Sequence, residues 1–177
     1  DVDKWERWDR RIEDEVEAAD VALLDGTFLE AGEIPGRSLI DIPHPLVTET
    51  ASRLGMSATQ FRNANGLPDA AQVTTARDLA LLGIALVREF PQYYSYFRTQ
   101  EFMFGSQKIG PGIKFLDLYA PYADGLKTGF ICASGFNVVV SARRNGRRLI
   151  AVMLGAPSGG VRAVKVAQML ERGFQSG

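Results

Sequence analysis

Lys127-Thr128-Gly129 sets a cationic ammonium, a hydroxyl and a residue without a side chain in a row. On an extended strand that row offers charge and hydrogen bonding, and its glycine lets another backbone come close. These are binding residue types, not an attacking group with its base. The tripeptide alone is weak, because chance supplies it in about a few per cent of chains this long. Other chemistries are poorly stocked. The single His44 cannot build a multi-histidine metal site, and the single Cys132 excludes a disulfide framework and a cysteine-based zinc site. No metal and no cofactor are expected.

Local patterns predict the elements that must hold this triplet. Phe136–Ala142 and Arg147–Leu154 are β-rich runs around Asn145-Gly146, the pair favoured in tight hairpin turns. The tip arginines Arg143, Arg144, Arg147 and Arg148 read as a solvated edge, with contact to an acidic partner as the alternative. Thr75 and Asp78 predict the start of a long helix that carries Leu79, Leu82, Leu86 and Phe90 and stops at Pro91. The aromatic residues Tyr93, Tyr94, Tyr96 and Phe97 read as core and interface packing rather than a stacking platform. A strand is expected near residues 101–104. A closing helix carries Ala163, Val166, Leu170 and Phe174 on one stripe.

Upstream, Leu46–Leu54 reads as a short helix stopped by Gly55, followed by turns through residues 63–69. Trp5, Trp8, Ile12, Val16 and Ala19 recur at helical spacing, and Asp20–Leu24 reads as a short strand delivering Asp25. The expected fold class is α+β. An antiparallel sheet of four or five strands, from the regions near 101–104, 126–131, 136–143 and 147–155, carries the packed helices.

The net charge of −1 hides a split. Through Glu49 there are fourteen acidic and five basic side chains, so the remainder is strongly basic. The acidic segment is expected to dock on the basic part and bury Trp5 and Trp8. With 46% hydrophobic residues the chain can bury a core, and no apolar run is long enough to span a membrane. One free thiol and no basic-then-apolar leader make cytoplasm the expected compartment, with no membrane and no nucleic-acid partner.

The wider context of the triplet resembles a known family. Asp124-Gly125-Leu126-Lys127-Thr128-Gly129-Phe130, then Ala133-Ser134-Gly135-Phe136-Asn137 and Arg147–Val152, stand in the order of the C-terminal part of serine D-alanyl-D-alanine carboxypeptidases. The resemblance runs back through Phe90-Pro91-Gln92-Tyr93-Tyr94 and Leu54-Gly55-Met56 to about residue 52. It implies a partial penicillin-binding or β-lactamase-like fold in which Lys127, Thr128 and Gly129 line the cleft and bind a substrate carboxylate. It also implies action outside the cytoplasmic membrane. Attack in that family needs a serine followed three residues later by lysine, so that one helical turn brings amine to hydroxyl. No serine from Ser38 to Ser176 has that partner, and serine-x-asparagine is absent too. No catalytic residue is therefore assigned.

Residues 1–51 resemble, more weakly, a fragment of a metallo-β-lactamase-fold hydrolase, which would make Asp25 a metal-bridging carboxylate. With the histidines of such a site missing, Asp25 reads as a turn or capping residue and His44 as a loop residue. The chain is thus expected as a mosaic of residues 1–51 and 52–177, joined near residues 50–54 and folding as one unit. The expected function is a noncatalytic interaction or inhibitor protein, artificially recombined or generated, with an unidentified protein partner or a homo-oligomeric assembly. The alternatives are a residual binder of D-Ala-D-Ala-like peptides or β-lactams, and a carboxypeptidase that takes its serine motif from a second chain.

Overall fold

A computed structural model describes residues 44–63, 66, 68–99, 101–109, 119 and 121–176. The expected N-terminal helix, the strand ending at Asp25 and the docking of the acidic segment lie outside the described residues. The chain divides into two compact units, Asp1–Val73 and Thr74–Gly177.

In the first unit, helix α1 spans His44–Arg53. Beyond it the chain turns back, and Gln60 and Val73 form an isolated antiparallel bridge. The Gln72 side chain accepts from the Arg62 and Asn63 amides at 2.9 and 3.1 Å, which satisfies backbone donors that no ladder reaches.

The second unit holds the long helix α2, Ala76–Glu89. Thr75 caps it by accepting from the Asp78 amide at 3.2 Å, as the sequence predicts. A 3-10 helix follows at Pro91–Arg98 and buries Tyr94. Strands β1 (Phe102–Phe104) and β2 (Gln107–Ile109) form a separate two-stranded ribbon. The main sheet has the order β3-β4-β5, with β3 at Ala123–Ile131, β4 at Gly135–Arg144 and β5 at Arg147–Ala156. Helix α3, Gly159–Gln175, is capped by Ser158.

The antiparallel α+β class stands, and the five strands among the described residues fall in two sheets. The 101–104 segment differs from expectation in its partner: it pairs with residues 107–109 rather than joining the main sheet. A turn at Gly105-Ser106 makes that local pairing cheaper in loop entropy than a distant one.

Alternation in β4 builds two cores. Val138, Val140 and Ala142 pack with Ala151 of β5 against Val166 and Leu170 of α3, and all six are buried. The residues between them face the other way, toward α2. There Gly83 lets helix and sheet approach closely, since a β-carbon at Gly83 would meet Leu126 and Val139 at 3.2 Å and Ile150 at 3.3 Å. The hairpin turn is as predicted: Asn145 and Gly146 take φ of 52° and 79°, the left-handed pair that matches strand twist.

Candidate functional site

Lys127, Thr128 and Gly129 stand on β3, an outer strand of the described sheet, opposite Val139, Val138 and Asn137. The Lys127 ammonium donates to the Thr128 carbonyl at 2.8 Å, so the charge is folded along its own strand. Both side chains are half-buried, whereas Gly129 is exposed and has open space where a β-carbon would be. The edge therefore carries a cation, a hydroxyl and, at Gly129, open space beside the backbone, features that suit an extended chain ending in an anion.

Both ends of this stretch are pinned. Beyond its carboxyl end, the Asn137 side chain donates to the Ser134 hydroxyl at 2.8 Å and the Gly135 carbonyl at 3.0 Å, and accepts from the Gly155 amide at 2.9 Å. One amide thus fixes the β3–β4 turn and an irregularity in the β4–β5 ladder, where the register shifts between Phe136 and Val138. Phe130 packs against Phe136 with ring centroids 4.3 Å apart and planes tilted by 35°, and the Arg162 guanidinium lies 5.8 Å from the Phe136 ring.

Before the amino end of the triplet lies a polar cluster that the sequence reading missed. Asp124 accepts from Arg148 at 2.9 Å and from the Tyr94 hydroxyl at 3.0 Å. The same Arg148 nitrogen donates to the hydroxyl of Ser141, which is fully buried. Burial is the main cause that pushes the Tyr94 phenol up to about 12, and the neighbouring Asp124 charge adds to it. Gly125 packs on the same 3-10 helix, where a β-carbon would lie 3.1 Å from the Tyr94 hydroxyl oxygen and 3.0 Å from Phe97. Strand parity is the signal that could have revealed Arg148: it is in phase with Ile150 and Val152, so its stem points at the α2 side.

The expectation of a solvated arginine edge is corrected for two of its four residues. Arg148 enters the cluster just described. Arg144 grips Glu171 of α3 at 3.0 and 3.2 Å, with its guanidinium 4.4 Å from the Phe174 ring. Arg143 and Arg147 are exposed as expected. Charged heads with long apolar stems can reach inward wherever acidic partners and aromatic faces wait, a contact that composition does not encode.

Among the metal candidates, His44 opens α1 rather than lying in a loop, and Asp25 lies outside the described residues. Among the described residues no group of three histidine, cysteine or acidic side chains comes together for a metal. No described helix is long and apolar enough to cross a membrane. A shallow depression of about 580 Å³ lies along α3, lined by residues such as Val164, Ala167 and Gln168 and by nothing from β3.

Comparison with known proteins bears on the family and the fold. A family profile described as D-alanyl-D-alanine carboxypeptidase, peptidase S11, matches residues 46–158. The D-alanyl-D-alanine carboxypeptidase DacC of Escherichia coli K12 is 35% identical over 130 residues, covering 73% of this chain and 32% of that protein. DacA of Haemophilus influenzae is 33% identical over 153 residues, covering 85% of this chain and 38% of that protein. The chain thus spans about a third of the length of these curated relatives. Penicillin binding protein 5 from Haemophilus influenzae has the same arrangement with a TM-score of 0.70 at 30% identity, covering 75% of this chain and 39% of that one. Penicillin-binding protein D2 from Listeria monocytogenes, solved with cefotaxime bound, gives 0.66 at 30% identity, covering 72% and 53%. The family match opens before the junction expected at residues 50–54, and the DacA alignment covers more of the chain than residues 52–177 can supply. The resemblance of residues 1–51 to a metallo-hydrolase has no counterpart among these matches.

Proposed function

Starting from the fact that the chain belongs to the D-alanyl-D-alanine carboxypeptidase family, we propose that β3 forms the carboxylate-binding edge of a D,D-carboxypeptidase cleft. The observation that carries this is the open edge at Gly129 beside the Lys127 ammonium. An extended peptide ending in D-Ala-D-Ala lies along β3, its terminal carboxylate taking a charge-assisted bond from Lys127 and a hydroxyl bond from Thr128. The same two donors suit the carboxylate of a β-lactam. Such a substrate places the work outside the cytoplasmic membrane, in place of the cytoplasmic compartment suggested by the lone cysteine.

These 177 residues hold the binding edge but no Ser-x-x-Lys. The attack on the peptide carbonyl therefore draws its serine and base from sequence outside them or from a second chain, and these residues alone bind without acyl transfer. The interaction or inhibitor reading has no observation of its own to favour it over binding at β3.

Titrating the chain with an N-acyl-Lys-D-Ala-D-Ala peptide, followed by amide NMR shifts, tests the reading. Shifts should concentrate on Lys127–Phe130, vanish in Lys127→Ala, and be absent with the C-terminally amidated peptide. Equal response to the amidated peptide, or none to the free acid, would overturn it.

A further inference from the structure

The β3–β4 ladder pairs Ala123 with Ala142 and Gly125 with Ser141, so two steps along β3 answer one along β4. Asp124 is the extra residue, a β-bulge three positions before Lys127. A bulge turns its side chain out of phase with the strand and is a means of re-aiming it. Here the re-aimed carboxylate meets Arg148 of β5 at 2.9 Å and Tyr94 of the 3-10 helix at 3.0 Å. Arg148 also donates to Ser141, the cross-strand partner of the next residue, Gly125. A single guanidinium therefore ties all three strands together at the bulge.

The strand has need of such a tie. Register is normally set by the hydrophobic pattern, and slipping by one residue moves every side chain to the opposite face. The stretch Lys127-Thr128-Gly129 is polar and glycine-containing, so burial specifies its register weakly. Of its flanks Phe130 is exposed, so Leu126 is the one adjacent side chain whose burial favours a face.

We propose that the Asp124 bulge, held by Arg148 and Tyr94, is a register lock that decides which residues of β3 stand opposite Val139 and Val138, and so which way Lys127 and Thr128 point. Asp124 is a positioning residue in this scheme and touches no substrate. The effect on ligand binding rests on the function proposed above; the register itself does not.

The test uses the full chain and two readouts. Cross-strand NOEs and amide exchange report the pairings Lys127↔Val139 and Thr128↔Val138, and titration with N-acyl-Lys-D-Ala-D-Ala reports binding. In Asp124→Ala the β3 pairings should weaken or shift, with amide exchange on β3 rising about tenfold or more, as expected for losing a charge-assisted bond, while the β4–β5 pairings persist. Peptide affinity should fall by a similar factor. Asp124→Asn, which keeps an oxygen acceptor for Arg148 and Tyr94, should restore the pairings, and Glu171→Ala should leave β3 untouched. Unchanged β3 pairings and exchange in Asp124→Ala would overturn the lock. If the wild-type chain binds no peptide, the proposed function fails while the NOEs still decide the register. Should Asp124→Ala not fold, Arg148→Met, which keeps the apolar stem but removes the one nitrogen that bonds both Asp124 and Ser141, puts the same pairings to the same test.

Discussion

Arg144 and Arg148 flank the same hairpin turn, four residues apart, and do different work. Arg148 reaches the α2 side, where Asp124 is only 13% exposed and Ser141 is fully buried. Arg144 reaches α3, where Glu171 is 42% exposed. The contacts look alike in distance, but the surroundings differ. A guanidinium facing a largely buried carboxylate cannot be removed without leaving a desolvated charge behind. One facing an exposed carboxylate can, because water replaces it. The first arginine is therefore bound to the geometry of β3, and the second mainly helps seat a helix that Val166 and Leu170 already hold.

That contrast gives a graded set of expectations. Arg148→Ala should have the largest effect, about 3 kcal/mol lost in urea unfolding, the low end for breaking a buried pair because the arginine keeps some exposure. A loss no greater than that of Arg144→Ala would erase the distinction between the clusters.

Alkaline titration comes next. The Tyr94 phenol is pushed up to about 12 in the fold, against an ordinary value near 10. Its proton is held more tightly folded than unfolded, so its contribution is complete below about pH 10 and is lost as pH rises through about 12. The Tyr119 phenol is also raised to about 12, chiefly by burial and by its bond to Glu171. Denaturant midpoints should be level up to about pH 10 and fall above it. Midpoints that stay level to pH 12 would contradict the burial of the Tyr94 phenol and the bond from Tyr119 to Glu171.

Tyr94→Phe at neutral pH should cost about 1 kcal/mol, one hydrogen bond to Asp124, and should flatten part of the alkaline fall. Loss of the phenol without any change in the pH profile would mean that Tyr119 alone carries it.

The smallest effect belongs to the exposed cluster. Glu171→Gln should leave the denaturant midpoint at pH 7 nearly unchanged, and whatever change appears should shrink in 1 M salt. Its carboxyl is held below the ordinary value by the bonds from Tyr119 and then Arg144. The stability this contributes is present above the ordinary carboxylate range and is lost as pH falls through the lowered value. Comparing acid unfolding of wild type and Glu171→Gln checks the sign: the variant should lose less stability on acidification.

Much of the fold could be read from residues close together in the chain. Thr75 with Asp78, Asn145-Gly146, and the Val166 and Leu170 stripe each act within a few positions, through a cap, a left-handed turn or a 3.6-residue period. Lys127-Thr128-Gly129 was visible for the same reason, as a contiguous string in a recognisable order. What the string does not contain is its register. That depends on Asp124 meeting Tyr94 and Arg148, partners 30 and 24 residues away. It likewise took the folded sheet to separate Arg148 from Arg144. Their local sequence is the same basic tip, and only the opposite faces of β4 and β5, one turned to α2 and one to α3, give them carboxylates in surroundings of different polarity. Periodicity and turn chemistry operate over a few residues and are written in the sequence itself; the environment that gives a charge its role is assembled from distant segments and exists only once they pack.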